Sequence, residues 1–244
     1  MYPYELIFGI TLYEFSILIG LIIGSIVFYQ LLKTQSIPKK VLNTYFGVIL
    51  IAVAFGFIYA VLVQSFWDYL KSGTFRLSGA TYLGGFIGGS IVFGVLYKIK
   101  ETNDLKAYRA KVINAFIPSL LISHFFGRIG CFLEGCCYGK ETTFFLAVKF
   151  PHLDHPVHPT QLYEACVLLI LFICSLIIYR RQKNNLVLYL FGYGISRFIF
   201  EFLRGDDRGQ FILSLSSSQI LSMILIIWGI YLVIKQNILK TFTL

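Results

Sequence analysis

LYEFSILIGLIIGSIVFYQLL, residues 12–32, is an apolar run whose one charge, Glu14, stands at its start. At a rise of about 1.5 Å per residue, such a run spans the roughly 30 Å hydrocarbon core of a bilayer as a single α-helix. It is too long for the apolar part of a signal peptide, and no small-residue cleavage site follows it, so it is expected to remain in the protein. Comparable runs recur along the chain and predict helices near 13–32, 42–66, 83–97, 112–127, 160–179, 185–203 and 214–234. With 57% hydrophobic and 14% charged residues and a mean hydropathy of +0.75, the 244 residues do not describe a soluble domain. The expectation is an all-α polytopic membrane bundle of about seven spans, a single integral membrane domain over 1–244.

Lys and Arg number 21 against 12 Asp and Glu, a net charge of +9. In a membrane chain this excess is an orientation signal and does not point to nucleic acid. Thirteen of the 21 fall in the segments at 33–40, 98–111, 180–183 and 235–240, on one side of the expected bundle. Seven fall on the other side (Lys71, Arg76, Arg128, Lys140, Lys149, Arg204, Arg208), and Arg197 lies inside a span. The positive-inside rule then predicts an outer N-terminus, a cytoplasmic C-terminus and a polar site facing outward.

Charges inside spans need a reason, because burying one alone costs about 3 kcal/mol or more. Tyr193, Arg197, Glu201 and Arg204 recur at spacings of four, four and three, which puts all four on one helix face. Two guanidiniums to one carboxylate leave that face positive, an arrangement suited to a lipid phosphate. The third expected span is short and rich in glycine (Gly84, Gly85, Gly88, Gly89, Gly94), which lets a neighbouring helix approach closely or frees backbone to line a cavity. The segment 128–159 shows no span. Its start, Gly127-Arg128-Ile129-Gly130-Cys131-Phe132-Leu133-Glu134-Gly135-Cys136-Cys137-Tyr138-Gly139, is dense enough in glycine to predict a shaped re-entrant or surface loop. Its end, His158-Pro159-Thr160-Gln161-Leu162-Tyr163-Glu164, reads as a turn followed by a helix start, with Thr160 and Glu164 as an approximate cap.

Five cysteines, an odd number, do not suggest a disulfide framework, and Cys166 and Cys174 read as packing residues. Cys131, Cys136 and Cys137 lack the paired spacing that zinc sites favour, and His152, His155 and His158 have no completing carboxylate or thiol, so no metal and no cofactor is expected. No nucleophile elbow, nucleotide-binding loop or zincin motif occurs.

Taken together, the outer motifs resemble the prolipoprotein diacylglyceryl transferase family. Residues 127–132 are similar to its Gly-Arg-x-Gly-Asn-Phe signature, 158–164 to its His-Pro-Ser-Gln-Leu-Tyr-Glu, and Tyr193 to Arg204 to its penultimate helix. The resemblance implies a bacterial inner-membrane enzyme that takes phosphatidylglycerol from the outer leaflet and passes its diacylglyceryl group to a prolipoprotein cysteine thiol, releasing glycerol phosphate without a metal. It carries the family's essential arginines onto Arg128 and Arg197, its carboxylate onto Glu201, its tyrosines onto Tyr13 and Tyr193, and its loop glycine onto Gly139. Substrate contacts are expected at Arg204, Glu134, Gly139, His158, Gln161, Tyr163, Cys131, Cys136, Cys137, Gly84 and Gly85.

Three positions depart from the family pattern. Cys131 stands where the family has Asn, Cys136 where it has Glu, and Leu83 where it has His. The donor side is therefore expected to be kept and the acceptor side altered. Cations at Arg128, Arg197 and Arg204 can meet the phosphate as the C–O bond breaks, and Glu201, Glu134, His124 and His158 are the remaining candidate bases. A lipid adduct on one of the three clustered cysteines is a further possibility. Two other readings stay open at this stage: a paralogue using the same donor with another acceptor or transferred group, and a non-catalytic protein that binds or translocates lipid.

Overall fold

The computed structural model describes residues 11–75, 82–205 and 215–241. Arg76 and Arg208 of the charge count lie outside them, as does the side chain of Leu83. The described residues form seven helices: α1 (Leu12–Lys33), α2 (Lys39–Ser72), α3 (Tyr82–Ile99), α4 (Asn103–Glu134), α5 (Thr160–Arg180), α6 (Asn185–Glu201) and α7 (Ser217–Thr241). Five of them, α1, α2, α4, α5 and α7, are long and apolar enough to cross a membrane. Large apolar side chains such as Phe55, Phe57, Leu70 and Ile227 stand 55 to 65% exposed, as residues facing lipid would. The helical class and the count of seven agree with the sequence reading.

The helix ends follow local chemistry. Glu14 accepts the Thr11 N–H at 2.8 Å at the start of α1. Gly73 closes α2 in the left-handed region, φ +69°, with its N–H on the Tyr69 carbonyl. Asn184 caps α6 by accepting from Leu186 N–H at 2.9 Å.

Two compact units are present, Leu31–Val112 and a second made of Met1–Gln30 with Ile113–Leu244. Within the first, α2 and α3 pack through glycine: a Cβ on Gly56 would sit 2.9 Å from the Gly85 carbonyl and 3.1 Å from Gly89 Cα. Tyr45, buried there, donates to the Leu105 carbonyl at 2.6 Å. In the second unit, Gly20 of α1 lies on α4 so closely that a Cβ would meet Phe126 Cβ at 2.8 Å, and Ser123 Oγ donates to the Gly20 carbonyl at 2.8 Å. Asn114 and Asn185 tie α4 to the start of α6 through two hydrogen bonds of 2.7 and 3.1 Å. The apolar centre of this unit is Ile117, Leu121, Leu168 and Leu171.

One expectation fails. The span expected at 112–127 continues as helix to Glu134, so Arg128, Cys131 and Glu134 are helical and not part of a loop. Gly130 there serves packing: it lies against α1, where a Cβ would be 3.1 Å from Tyr13 and 3.2 Å from Ser16 Cβ, whereas Gly127 has open space around it. Close helix approach and a flexible loop both call for glycine, and here the first applies.

Candidate active site

The site lies in the second unit and begins where α4 stops. Gly135 takes φ +78° with its N–H on the Phe132 carbonyl at 3.1 Å, and Cys137 follows at φ +66°. A left-handed residue with a side chain costs about 1 kcal/mol or more. Two wholly buried donors hold this turn: Thr160 Oγ1 bonds the Cys137 carbonyl at 2.8 Å, and Gln161 Nε2 bonds the Cys136 carbonyl. Thr160 is therefore an anchor. The start of α5 has Pro159 in the cap position and no side-chain cap bond, which corrects the capping expectation.

Three backbone segments then meet. Gly139 N–H bonds His158 carbonyl at 2.8 Å, His158 N–H bonds Lys140 carbonyl at 3.0 Å, Lys140 N–H bonds Leu203 carbonyl at 2.8 Å, and Gly205 N–H bonds Tyr138 carbonyl at 3.2 Å. Gly139 is at the crossing, and a Cβ there would come within 2.7 Å of both His158 Cβ and the Leu203 carbonyl. This junction fixes Arg204, just past α6, over the turn that carries the cysteines.

Arg204 joins Arg128 of α4 and Arg197 of α6 around Glu164 of α5, which is 2% exposed. Arg197 Nη1 donates to Glu164 Oε1 at 3.0 Å, Arg128 Nε lies 2.9 Å from Oε2, and Arg204 Nη1 lies 4.0 Å from Oε1. The Arg128 contact is an ion pair without the alignment of a hydrogen bond. Arg197 Nη2 also reaches Glu201 Oε2 at 2.7 Å and donates to Ser218 Oγ at 2.8 Å. Three guanidiniums and two carboxylates leave one net positive charge at a largely buried centre, a strong attractor for an anion.

The remaining expected residues have contacts of their own. Tyr193 meets the His124 ring edge-on at 4.8 Å and stacks on Tyr189 at 5.5 Å. Tyr13 packs on Gly130. His158 Nδ1 and Tyr163 OH are 3.2 Å apart. Glu134 ends α4 with Oε2 buried and without a hydrogen-bond partner among the described residues. Gly84 and Gly85 belong to the other unit, where Gly85 packs against α2.

The sulfurs of Cys131, Cys136 and Cys137 lie within 4.8 Å of one another. Among the described residues this is the group of His, Cys, Asp and Glu ligand atoms that converges, whereas His152 packs with Tyr138 and Phe150, and His155 is exposed. The Cys137 thiol is held far below the usual thiol range, first by hydrogen bonds from the Cys131 and Cys136 thiols and then by the Arg204 guanidinium. Cys136 is pushed up by the same sharing of protons with its two neighbours.

Sequence reasoning missed Glu164, Thr160 and Ser218 as parts of the site. Glu164 stood inside the quoted motif, and its signal was a carboxylate entering a span with no cation of its own helix nearby. Ser218 gave no signal, because its place depends on how α7 packs against α6.

The chain matches the family described as prolipoprotein diacylglyceryl transferase over residues 4–235. It is similar to the phosphatidylglycerol–prolipoprotein diacylglyceryl transferase of Clostridium tetani, 39% identical over 63% of each chain. It is also similar to transferase 2 of that name in Clostridium perfringens, 31% identical over 93% of this chain and 91% of the relative. The transferase of Finegoldia magna is 30% identical over 95% of this chain and 94% of the relative.

Proposed function

Because the chain belongs to the prolipoprotein diacylglyceryl transferase family, we propose that it moves the diacylglyceryl group of phosphatidylglycerol onto a prolipoprotein cysteine thiol, with glycerol phosphate released. The observation that carries this reading is the buried cluster of Arg128, Arg197 and Arg204 around Glu164. In a diacylglyceryl transfer the thiol sulfur attacks the glyceryl carbon bonded to the phosphate oxygen, and the C–O electron pair leaves with glycerol phosphate. Charge therefore grows on the phosphate, and preorganised guanidiniums stabilise it there. Glu164 sets their positions: it takes Arg128 through Nε, which leaves the two Nη groups of that arginine for the phosphate.

An apolar groove of about 430 Å³ between α5 and α6, lined by Val167, Phe191, Gly192, Ile195, Ser196, Ile199 and Phe200, suits an acyl chain. Tyr193, Tyr13, Gln161, His158 and Tyr163 shape the surroundings of the headgroup. Glu164 and Glu201 are both engaged by arginine, so neither is placed to take the proton of the incoming thiol. In this reading the chain is one integral domain of the bacterial inner membrane, with its N-terminus outside, its C-terminus cytoplasmic and its site open to the outer leaflet, where the lipid donor and the prolipoprotein acceptor meet.

Complementation tests the reading. Expression in a bacterium depleted of its own diacylglyceryl transferase should restore growth and lipidated prolipoprotein. Accumulation of unmodified prolipoprotein, with this chain present in the membrane, would contradict it and favour a different acceptor.

A further inference from the structure

Glu164 and Glu201 are both held by arginine, and three thiols converge beside the same arginines. We propose that Cys131, Cys136 and Cys137 hold a zinc ion whose fourth position takes the acceptor cysteine, a role that rests on the transferase reading above.

Three observations carry it. First, a zinc ion that does chemistry keeps three protein ligands and one open position, with Zn–S bonds of about 2.3 Å, which places tetrahedral sulfurs about 3.8 Å apart. The present separations, all within 4.8 Å, exceed that value by about 1 Å at most. Second, the turn is built for the purpose at a cost. Cys137 is held left-handed, and the carbonyls of Cys136 and Cys137 are pinned by Gln161 and Thr160, both wholly buried. Packing cysteines would not need the sulfurs to converge. Third, the thiolates would lie beside cations: Arg204 stands at the Cys137 sulfur, with Arg128 one helical turn before Cys131.

A thiol that binds zinc is deprotonated at neutral pH. The acceptor S–H gives its proton to water, and the zinc-bound sulfur keeps its electron pair for the glyceryl carbon. The S–C bond forms as the C–O bond breaks, the oxygen departs with glycerol phosphate, and the neutral thioether product dissociates from the metal. Two electrons move and nothing is oxidised. Zinc thus supplies an activation that Glu164 and Glu201, held by arginine, do not.

The test uses the purified full-length chain in detergent micelles, first with Zn²⁺ and then with Co²⁺, whose thiolate charge-transfer absorption reports sulfur ligands. About one ion should bind per chain, and Cys131→Ser, Cys136→Ser and Cys137→Ser should each weaken binding by more than about 100-fold. Should these variants misfold, thiol alkylation of the unaltered chain decides: Zn²⁺ should protect three cysteines while exposed Cys166 still reacts. Adding a lipobox peptide should raise the sulfur-to-cobalt absorption, and the same peptide with serine for cysteine should not. Failure to bind metal, or bound cobalt indifferent to the cysteine peptide, would overturn the proposal. Lipid transfer to the peptide that continues undiminished under a strong chelator would overturn it and leave the transferase reading standing. A cobalt response to the cysteine peptide without any transfer would uphold the thiol site and count against the transferase reading.

Discussion

Replacing Glu164 with Gln leaves the shape of α5 nearly unchanged and removes the one charge that Arg128, Arg197 and Arg204 share. The cluster then holds three guanidiniums against Glu201 alone, so its net charge rises from one to two. Glu164 is 2% exposed and Arg197 6%, so water cannot replace the lost partner. Removing one side of a buried ion pair costs about 3 to 5 kcal/mol. Two contacts are lost at once, at 2.9 and 3.0 Å, while the Gln carbonyl recovers part of one, so about 3 kcal/mol is the expected loss. Mutual repulsion should also spread the arginines, and lipid turnover should fall by about 100-fold or more. Thermal unfolding in micelles reads the first effect, and release of glycerol phosphate from phosphatidylglycerol reads the second. Glu164→Gln within about 1 kcal/mol of the parent in stability and within about twofold in turnover would refute the assignment of Glu164 as the organiser of the site.

Arg128→Ala and Arg197→Ala should each lower turnover by about 30- to 1,000-fold, corresponding to about 2 to 4 kcal/mol of lost phosphate stabilisation, while the protein still inserts, as steady-state kinetics and membrane fractionation would show. Gly139→Ala should destabilise by about 2 kcal/mol, because its Cβ would press on the Leu203 carbonyl, whereas Gly127→Ala, with open space around it, should be neutral or stabilise by up to about 1 kcal/mol; unfolding midpoints compare the two. Reporter fusions at 36, 104 and 182 should all read cytoplasmic, and one external reading would reverse the placement of the site.

Much of the fold was legible because each membrane span announces itself through a long apolar run, and the helices near 13–32 and 160–179 lie within one residue of α1 and α5 at each end. The end of α4 was not legible. Glycine, arginine and glutamate lower local hydropathy whether the backbone is helical or not, and the contact of Gly130 with Tyr13 shows which applies. In the site, Arg197 and Glu201 were readable because helical spacing alone pairs them. Glu164 was not, since its partners come from α4 and α6, and a carboxylate in the first turns of a helix is as readily read as a cap. The convergence of the three cysteine sulfurs was not legible either, because spacing rules describe regular turns and this turn contains two left-handed residues.

The central claim is transfer of a diacylglyceryl group from phosphatidylglycerol to a cysteine thiol. Mass spectrometry of the products formed from purified protein, phosphatidylglycerol and a lipobox peptide tests it most directly. The account predicts a peptide heavier by one diacylglyceryl group on its cysteine, with an equal amount of glycerol phosphate. An unmodified peptide from protein that has bound phosphatidylglycerol would contradict it.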